Sequence, residues 1–234
     1  WQSLLPEWYA RMRQRDSPFV SSERGKHVKV LMLNGGVSPK GNTGIALAEV
    51  AKTLSEQGID TEVYHLPLTP TRDCVSCGKC SKLGRCVFDD DGVNEFVEKA
   101  ASADGFVFGT PVYYAHPAGR VLSFLDRVFY SESGQFAFKP GACVTVARRG
   151  GCTASFDVMN KYFGIANMIA VGSSYWNMVY GAKTGEAALD VEGMKTMRNL
   201  GRNMAWLLKS IEAGRVAGVP APEAEGGSWM NFIR

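Results

Sequence analysis

Short apolar runs alternate along this chain with stretches whose apolar residues recur at helical spacing, and that alternation limits the fold more than any other feature. The runs occupy residues 28–33, 61–66, 105–109, 142–147 and 168–171. The first is nearly continuous through Val28, Val30, Leu31, Met32 and Leu33, as expected of a strand covered on both faces of a parallel sheet. Between the runs lie helical stripes. Leu47, Val50, Ala51 and Leu54 form one that stops at Gly58, and Val93, Phe96, Val97 and Ala100 form the next. Ala118, Leu122, Leu125 and Phe129 follow, then a helix over about 153–164, then Met197, Leu200, Met204, Leu207 and Ile211 ending at Gly214. Strand and helix in strict alternation predict an α/β fold with a doubly wound, five-stranded parallel sheet and right-handed crossovers. A ligand then belongs off the carboxyl ends of the strands. With 234 residues, 45% apolar and 21% charged, the chain can bury one sizeable core.

The junction between the first strand and first helix reads Leu33-Asn34-Gly35-Gly36-Val37-Ser38-Pro39-Lys40-Gly41-Asn42-Thr43-Gly44. A small, polar, Gly-rich loop ahead of a helix directs backbone N–H groups and the positive end of the helix dipole at one spot, which suits an anion. Gly36 and Gly41 have the spacing of a triphosphate loop, but Asn42 stands where that loop needs a Lys, and no G-x-G-x-x-G follows the strand. What remains is a hydroxyl-and-amide cradle, with Ser38, Asn42 and Thr43 as donors, sized for one phosphate monoester. The plainer reading of the same residues is an ordinary turn in which Thr43 or Asn42 caps the helix.

Two more loops leave the same sheet edge. In Gly109-Thr110-Pro111-Val112-Tyr113-Tyr114-Ala115-His116-Pro117 two prolines stiffen the backbone beside two aromatics, which suits a flat heteroaromatic ring. In Ala147-Arg148-Arg149-Gly150-Gly151-Cys152-Thr153 the paired glycines admit a ring edge and an Arg can offset negative charge there. Taken singly these are packing tyrosines and a solvated loop; three such loops at one edge predict a site. After the fifth run, Ser173, Ser174, Tyr175, Trp176, Asn177 and Met178 can wall its open side, or Trp176 can be core.

The chain has six Cys, four of them bunched as Cys74, Cys77, Cys80 and Cys86 with the spacing C-x2-C-x2-C-x5-C. Thiolates at intervals of two residues can wrap a [4Fe–4S] cluster, as in bacterial ferredoxins, with a fourth completing the set. Here Val87, not Pro, follows the last Cys. Structural zinc favours two well-separated pairs and fits this spacing less well. A metal-free loop ordered by Asp89, Asp90 or Asp91 capping the helix at Val93 stays open beside the cluster. Cys143 and Cys152 read as packing residues, Cys152 with a redox role as its alternative.

A net charge of +3 with scattered Lys and Arg argues against a nucleic-acid partner. No apolar run has the length of a membrane span or a secretory signal, so a cytoplasmic location is expected. Residues 1–26 carry a helical apolar stripe through Trp1, Leu4, Leu5, Trp8, Tyr9 and Met12, an extension that can pack on its own domain or a neighbouring subunit. Residues 215–234 form a tail whose Trp229, Met230, Phe232 and Ile233 are too apolar to stay free. Both ends predict docking, in a homodimer or homotetramer.

Ser38-Pro39-Lys40-Gly41-Asn42-Thr43, then Asp104-Gly105 leading to Thr110-Pro111-Val112-Tyr113-Tyr114, then Leu125-Asp126-Arg127 resemble the flavodoxin-like NAD(P)H-dependent FMN reductases, over about residues 27–214. The resemblance implies that Ser38, Asn42 and Thr43 hold the FMN phosphate, with Lys40 and Gly41 in the same loop. It implies that Pro111, Val112, Tyr113 and Tyr114 contact ribityl chain and isoalloxazine, and that Arg148, Gly150 and Gly151 meet the pyrimidine end. In that family flavin N5 takes hydride from the nicotinamide, so no protein acid or base is assigned. The cysteine spacing also resembles the iron–sulfur flavoproteins of the same superfamily. Two functions follow as expectations. One is an enzyme reducing a quinone, azo, nitro, metal-oxyanion or flavin acceptor with NAD(P)H; the other is an electron carrier between protein partners. The modest charge favours the enzyme, because carriers of the flavodoxin type tend to be strongly acidic.

Overall fold

A computed structural model describes residues 28–223. The expected N-terminal helix over residues 1–26 and the apolar end of the tail lie outside the described residues.

The sheet is built from β1 (Lys29–Asn34), β2 (Asp60–His65), β3 (Gly105–Tyr113), β5 (Pro140–Ala147) and β6 (Ile169–Ala170), in the order β2-β1-β3-β5-β6. All four of these pairings are parallel. A two-residue β4 (His116–Pro117) folds back antiparallel on β3, and β7 (Met178–Tyr180) lies parallel to β5. The helices are α1 (Asn42–Glu56), the short α2 (Cys80–Leu83), α3 (Val93–Ala101), α4 (Gly119–Glu132), α5 (Cys152–Ile165) and α6 (Val191–Val216). The flavodoxin-like doubly wound sheet expected from the sequence is the fold observed.

Strand side chains alternate between faces, so each central strand feeds two cores. Val30 and Met32 of β1 join Val107 and Val144 against Leu47, Val50, Met197, Leu200 and Met204 of α1 and α6. Leu31 and Leu33 join Phe106 and Phe108 against Phe96, Phe124 and Phe163 of α3, α4 and α5. Burying both faces is why β1 reads as continuous rather than alternating; each such side chain contributes about 1.5–3 kcal/mol. Helix ends follow their glycines. At the end of α1, Gly58 takes φ +74 and the N–H groups of Gly58 and Ile59 donate to Ser55 and Leu54.

Three expectations need correction. The fifth strand position is split. β6 pairs with Pro140 and Gly141, β7 pairs with Thr145 to Ala147, and residues 171–177 loop out between them. A three-residue strand is too short to give a periodic signal, which is why β7 escaped the sequence reading. The last helix runs through Gly214 to Val216 and stops at Gly218 with φ +83, because the second glycine, not the first, takes the left-handed end. No aspartate caps α3: its N-cap is Gly92 at φ +81, and Asp89, Asp90 and Asp91 bond Asn94, Arg72 and Arg127 instead. Among the described residues no helix is long and apolar enough to cross a membrane.

Candidate functional site

At the carboxyl end of β1, Asn34 is fully buried and its carboxamide organises the first loop. Its Oδ1 accepts from Gly36 N–H at 2.9 Å, so Nδ2 must be the donor to His65 Nδ1 at 3.1 Å, which leaves the His65 proton on Nε2. The loop closes through Gly41 N–H donating to the Ser38 carbonyl at 3.0 Å. α1 then begins with Gly41 as N-cap and no side-chain cap. The amides of Asn42, Thr43 and Gly44 therefore start the helix without a protein acceptor within it, next to the Ser38 and Thr43 hydroxyls. Gly44 is required: a Cβ there would overlap the Pro39 carbonyl and push the loop off the helix.

Asn42, expected as a phosphate donor, already makes three hydrogen bonds. Its Nδ2 donates to the Lys183 carbonyl at 2.9 Å, and its Oδ1 accepts from Gly185 and Ala187 N–H at 3.1 and 3.2 Å. One Nδ2 proton and the backbone amide remain for a ligand. The turn it holds is braced by Glu186, whose carboxylate accepts from Ala182 and Lys183 N–H and is held below the ordinary range by those amides.

The second and third loops meet the first. Gly35 N–H donates to the Gly109 carbonyl at 2.9 Å. Gly151, at φ +100, packs so closely on Ala115 that a Cβ would overlap the Ala115 Cα. Between them the β3–β4 hairpin turns on Tyr114 and Ala115 at φ 52 and 59, with Tyr113 paired to His116. Two consecutive left-handed residues make the turn that suits a β-hairpin, but neither is glycine, and each such residue costs on the order of 1–3 kcal/mol. Tyr114 is nonetheless fully exposed, with Tyr113 half-exposed beside it. Pro111 and Val112 lie partly covered behind them, while Arg148, Arg149 and Gly150 are exposed across the gap. Tyr175 and Trp176, on the excursion between β6 and β7, are 54% and 49% exposed with rings 4.6 Å apart. The core reading of Trp176 is thus set aside. Cys152 is buried and its thiol is pushed up by burial, in keeping with a packing role, as is that of Cys143.

The four bunched cysteines line one small pocket with Val75, Gly78, Val87, Phe88, Arg127 and Tyr130. Ser76 and Gly78, at φ 50 and 67, turn the chain between successive cysteines so that all face that pocket. Among the described residues no three His, Cys, Asp or Glu side chains converge on a single-ion site. Four thiols on one pocket are the donor set a cubane uses, and their sequence spacing suits zinc less well. The loop leaves the carboxyl end of β2 but does not stay there. Arg120 of α4 donates to the carbonyls of Leu66 and Pro67, Ser123 to Asp73, and Cys80 Sγ lies 3.7 Å from the Tyr130 carbonyl. The loop therefore runs along α4, from Arg120 near its start to Tyr130 near its end. The helices α3 and α4 fix the pocket through Asn94 and Arg127, which spacing alone does not reveal.

A family model described as NADPH-dependent FMN reductase matches residues 28–183. An iron–sulfur flavoprotein of Methanocaldococcus jannaschii is 32% identical over 193 residues, covering 79% of this chain and 100% of that protein. An iron–sulfur flavoprotein of Methanosarcina thermophila is 30% identical over 175 residues, covering 73% and 88%. Among solved structures, RosB with a bound 8-demethyl-8-formylriboflavin 5′-phosphate intermediate superposes with TM-score 0.57 at 16% identity, covering 88% of this chain and 92% of that one.

Proposed function

The chain belongs to the NADPH-dependent FMN reductase family, and from that premise we propose that it is an FMN-containing oxidoreductase that takes electrons from NAD(P)H and delivers them to a small acceptor of the quinone, azo, nitro, metal-oxyanion or flavin type. The observation that carries this reading is the strained, fully exposed Tyr114 at a turn that Gly151 joins to the third loop. The hydroxyls of Ser38 and Thr43, with the first amides of α1, would hold the phosphate, and Lys40 and Gly41 shape the loop around it. Pro111, Val112, Tyr113 and Tyr114 would wall the ring, while Arg148, Gly150 and Gly151 receive its electron-poor edge. FMN held there supplies hydride acceptance and electron donation. Tyr175 and Trp176 then limit which flat acceptor reaches the open side. A homodimer or homotetramer belongs to the same reading, with the masses measured in solution as its check.

The cysteine pocket favours a second reading, an iron–sulfur flavoprotein that passes electrons between protein partners. The relatives that align along most of their length carry that name. Protein purified without oxygen should release FMN on denaturation and, if the pocket is loaded, contain iron and sulfide in equal amounts. Steady NAD(P)H consumption with a quinone or ferricyanide supports the enzyme. Cluster and flavin without such turnover would overturn it in favour of the carrier, and FAD or no flavin would overturn both.

A further inference from the structure

Arg127 is one of the largest fully buried side chains, 2% exposed, and its guanidinium is directed at the cysteine pocket. Nε donates to Cys86 Sγ at 3.3 Å. Nη1 reaches Asp91 and, at 3.4 Å, the Arg72 carbonyl; Nη2 donates to the Phe88 carbonyl at 3.1 Å. The fork is thus pinned on its Nη side by Asp91, Arg72 and Phe88, and lies over the Phe88 ring at 5.4 Å. What it leaves undone is informative. A buried pair built for stability alone would set both Asp91 oxygens on the fork. Here one edge of the guanidinium goes to sulfur, and Asp91 Oδ1 is buried with no hydrogen-bond partner among the described residues. Leaving a buried carboxylate oxygen unpaired is costly, so the orientation of Arg127 needs a reason beyond the ion pair.

Cys86 is also the best-anchored of the four cysteines. Buried Asn94 accepts from its N–H at 2.9 Å and donates to its carbonyl at 3.0 Å, whereas Cys74 and Cys77 are exposed. We propose that Arg127 is a positioning residue of the cysteine pocket: its buried guanidinium, donating from Nε to Cys86 Sγ, fixes the fourth corner of the cluster and makes that cluster easier to reduce. The inference rests on the cluster reading of the pocket. Reduction adds one electron to the cluster, so the reduced state carries one more negative charge. A fixed positive charge and an N–H to a ligand sulfur both favour that state, as hydrogen bonding and net charge do for iron–sulfur centres generally. Asp91 works against it.

The test uses the full chain, purified and reconstituted without oxygen, with iron, sulfide and FMN quantified and the midpoint potential read from the EPR signal of the reduced cluster during a dithionite titration. Arg127→Lys, which keeps a charge but loses the Nε donor, should lower the potential, and Asp91→Asn should raise it. The expected change is at least tenfold in the reduced-to-oxidised ratio at fixed potential, or about 59 mV for one electron. Should Arg127→Lys fail to fold, the paired Arg127→Met with Asp91→Leu removes both buried charges together and should still lower the potential. Loaded variants that titrate like the wild type, or shift the same way for Arg127→Lys and Asp91→Asn, overturn it alone. Wild-type protein without iron and sulfide overturns the cluster reading and this inference together.

Discussion

The Asn42 carboxamide and the Lys183 carbonyl, 141 residues apart in the chain, meet at 2.9 Å. With Gly185 and Ala187 N–H on its other atom, the first residue of α1 fastens the turn that follows β7. The β1–α1 loop and the turn after β7 are therefore one mechanical unit, and a change in either reaches the other.

Asn42→Ala removes three hydrogen bonds, each worth about 0.5–1.5 kcal/mol. The variant should lose roughly 2–3 kcal/mol of stability by denaturant unfolding and bind FMN more weakly, even though Ser38 and Thr43 are intact. Lys183→Ala should leave stability unchanged, because the bond uses the backbone carbonyl. Equal stability of Asn42→Ala and wild type would detach the turn from the cradle.

Gly44→Ala tests whether the loop must lie on the helix. Its methyl group would occupy the place of the Pro39 carbonyl, and a forced backbone shift typically costs about 1–3 kcal/mol. FMN content after purification should fall well below one per chain while the far-UV circular dichroism stays native. Full flavin content would mean that the loop has room the structure does not give it.

The alternation of strands and helices and the doubly wound layering were legible in the sequence because apolar periodicity is local and strong: Val30, Leu31, Met32 and Leu33 declare a two-faced strand on their own, whereas the order β2-β1-β3-β5-β6 comes from the structure. The loop between β1 and α1 was legible for the same reason, being one contiguous segment. What stayed hidden depends on pairs distant in the chain. Asn42 with Lys183, Gly151 with Ala115 and Arg127 with Cys86 follow from how loops fold over the sheet edge and along α4, and no spacing rule encodes them. The alternative in which Asp89, Asp90 or Asp91 caps α3 suited the local sequence, but Gly92 takes the cap position and burial pairs Asp91 with Arg127.

Acid should weaken the joint between β1, β2 and α3. The Glu62 carboxylate accepts from Lys29 Nζ and lies 2.9 Å from Lys99 Nζ, and Lys29 first, then Lys99, hold it below its ordinary value of 4.5. A depressed folded pKa means stability fully present above the unfolded value and lost as pH falls through the folded one. The stability difference between wild type and Glu62→Gln should be largest near neutrality and vanish in strong acid, by urea unfolding at several pH values. Partly exposed pairs are worth no more than about 1 kcal/mol and are screened by salt, so the difference should also shrink at high salt. A difference that grows on acidification would reverse the assignment.

Tyr114 should trade stability for ligand binding. It stands at φ 52 in a two-residue hairpin turn, fully exposed, so its side chain gives the ligand-free protein nothing in return for the left-handed backbone. Tyr114→Gly relieves that strain, which costs a non-glycine residue on the order of 1–2 kcal/mol, and offsets it only in part by added freedom of the unfolded chain. The flavin-free variant should melt a few degrees above wild type. Losing an aromatic face from the ring wall forfeits about 0.5–1.5 kcal/mol beyond area burial, so FMN, followed by quenching of its fluorescence, should bind several-fold to tenfold more weakly. Ala115→Gly supplies the control: it relieves the neighbouring φ of 59, should raise the melting temperature in the same way, and should leave FMN affinity as it was. A flavin-free Tyr114→Gly protein that melts lower than wild type would mean that the ring supports the fold, and unchanged FMN affinity would move the flavin away from this turn.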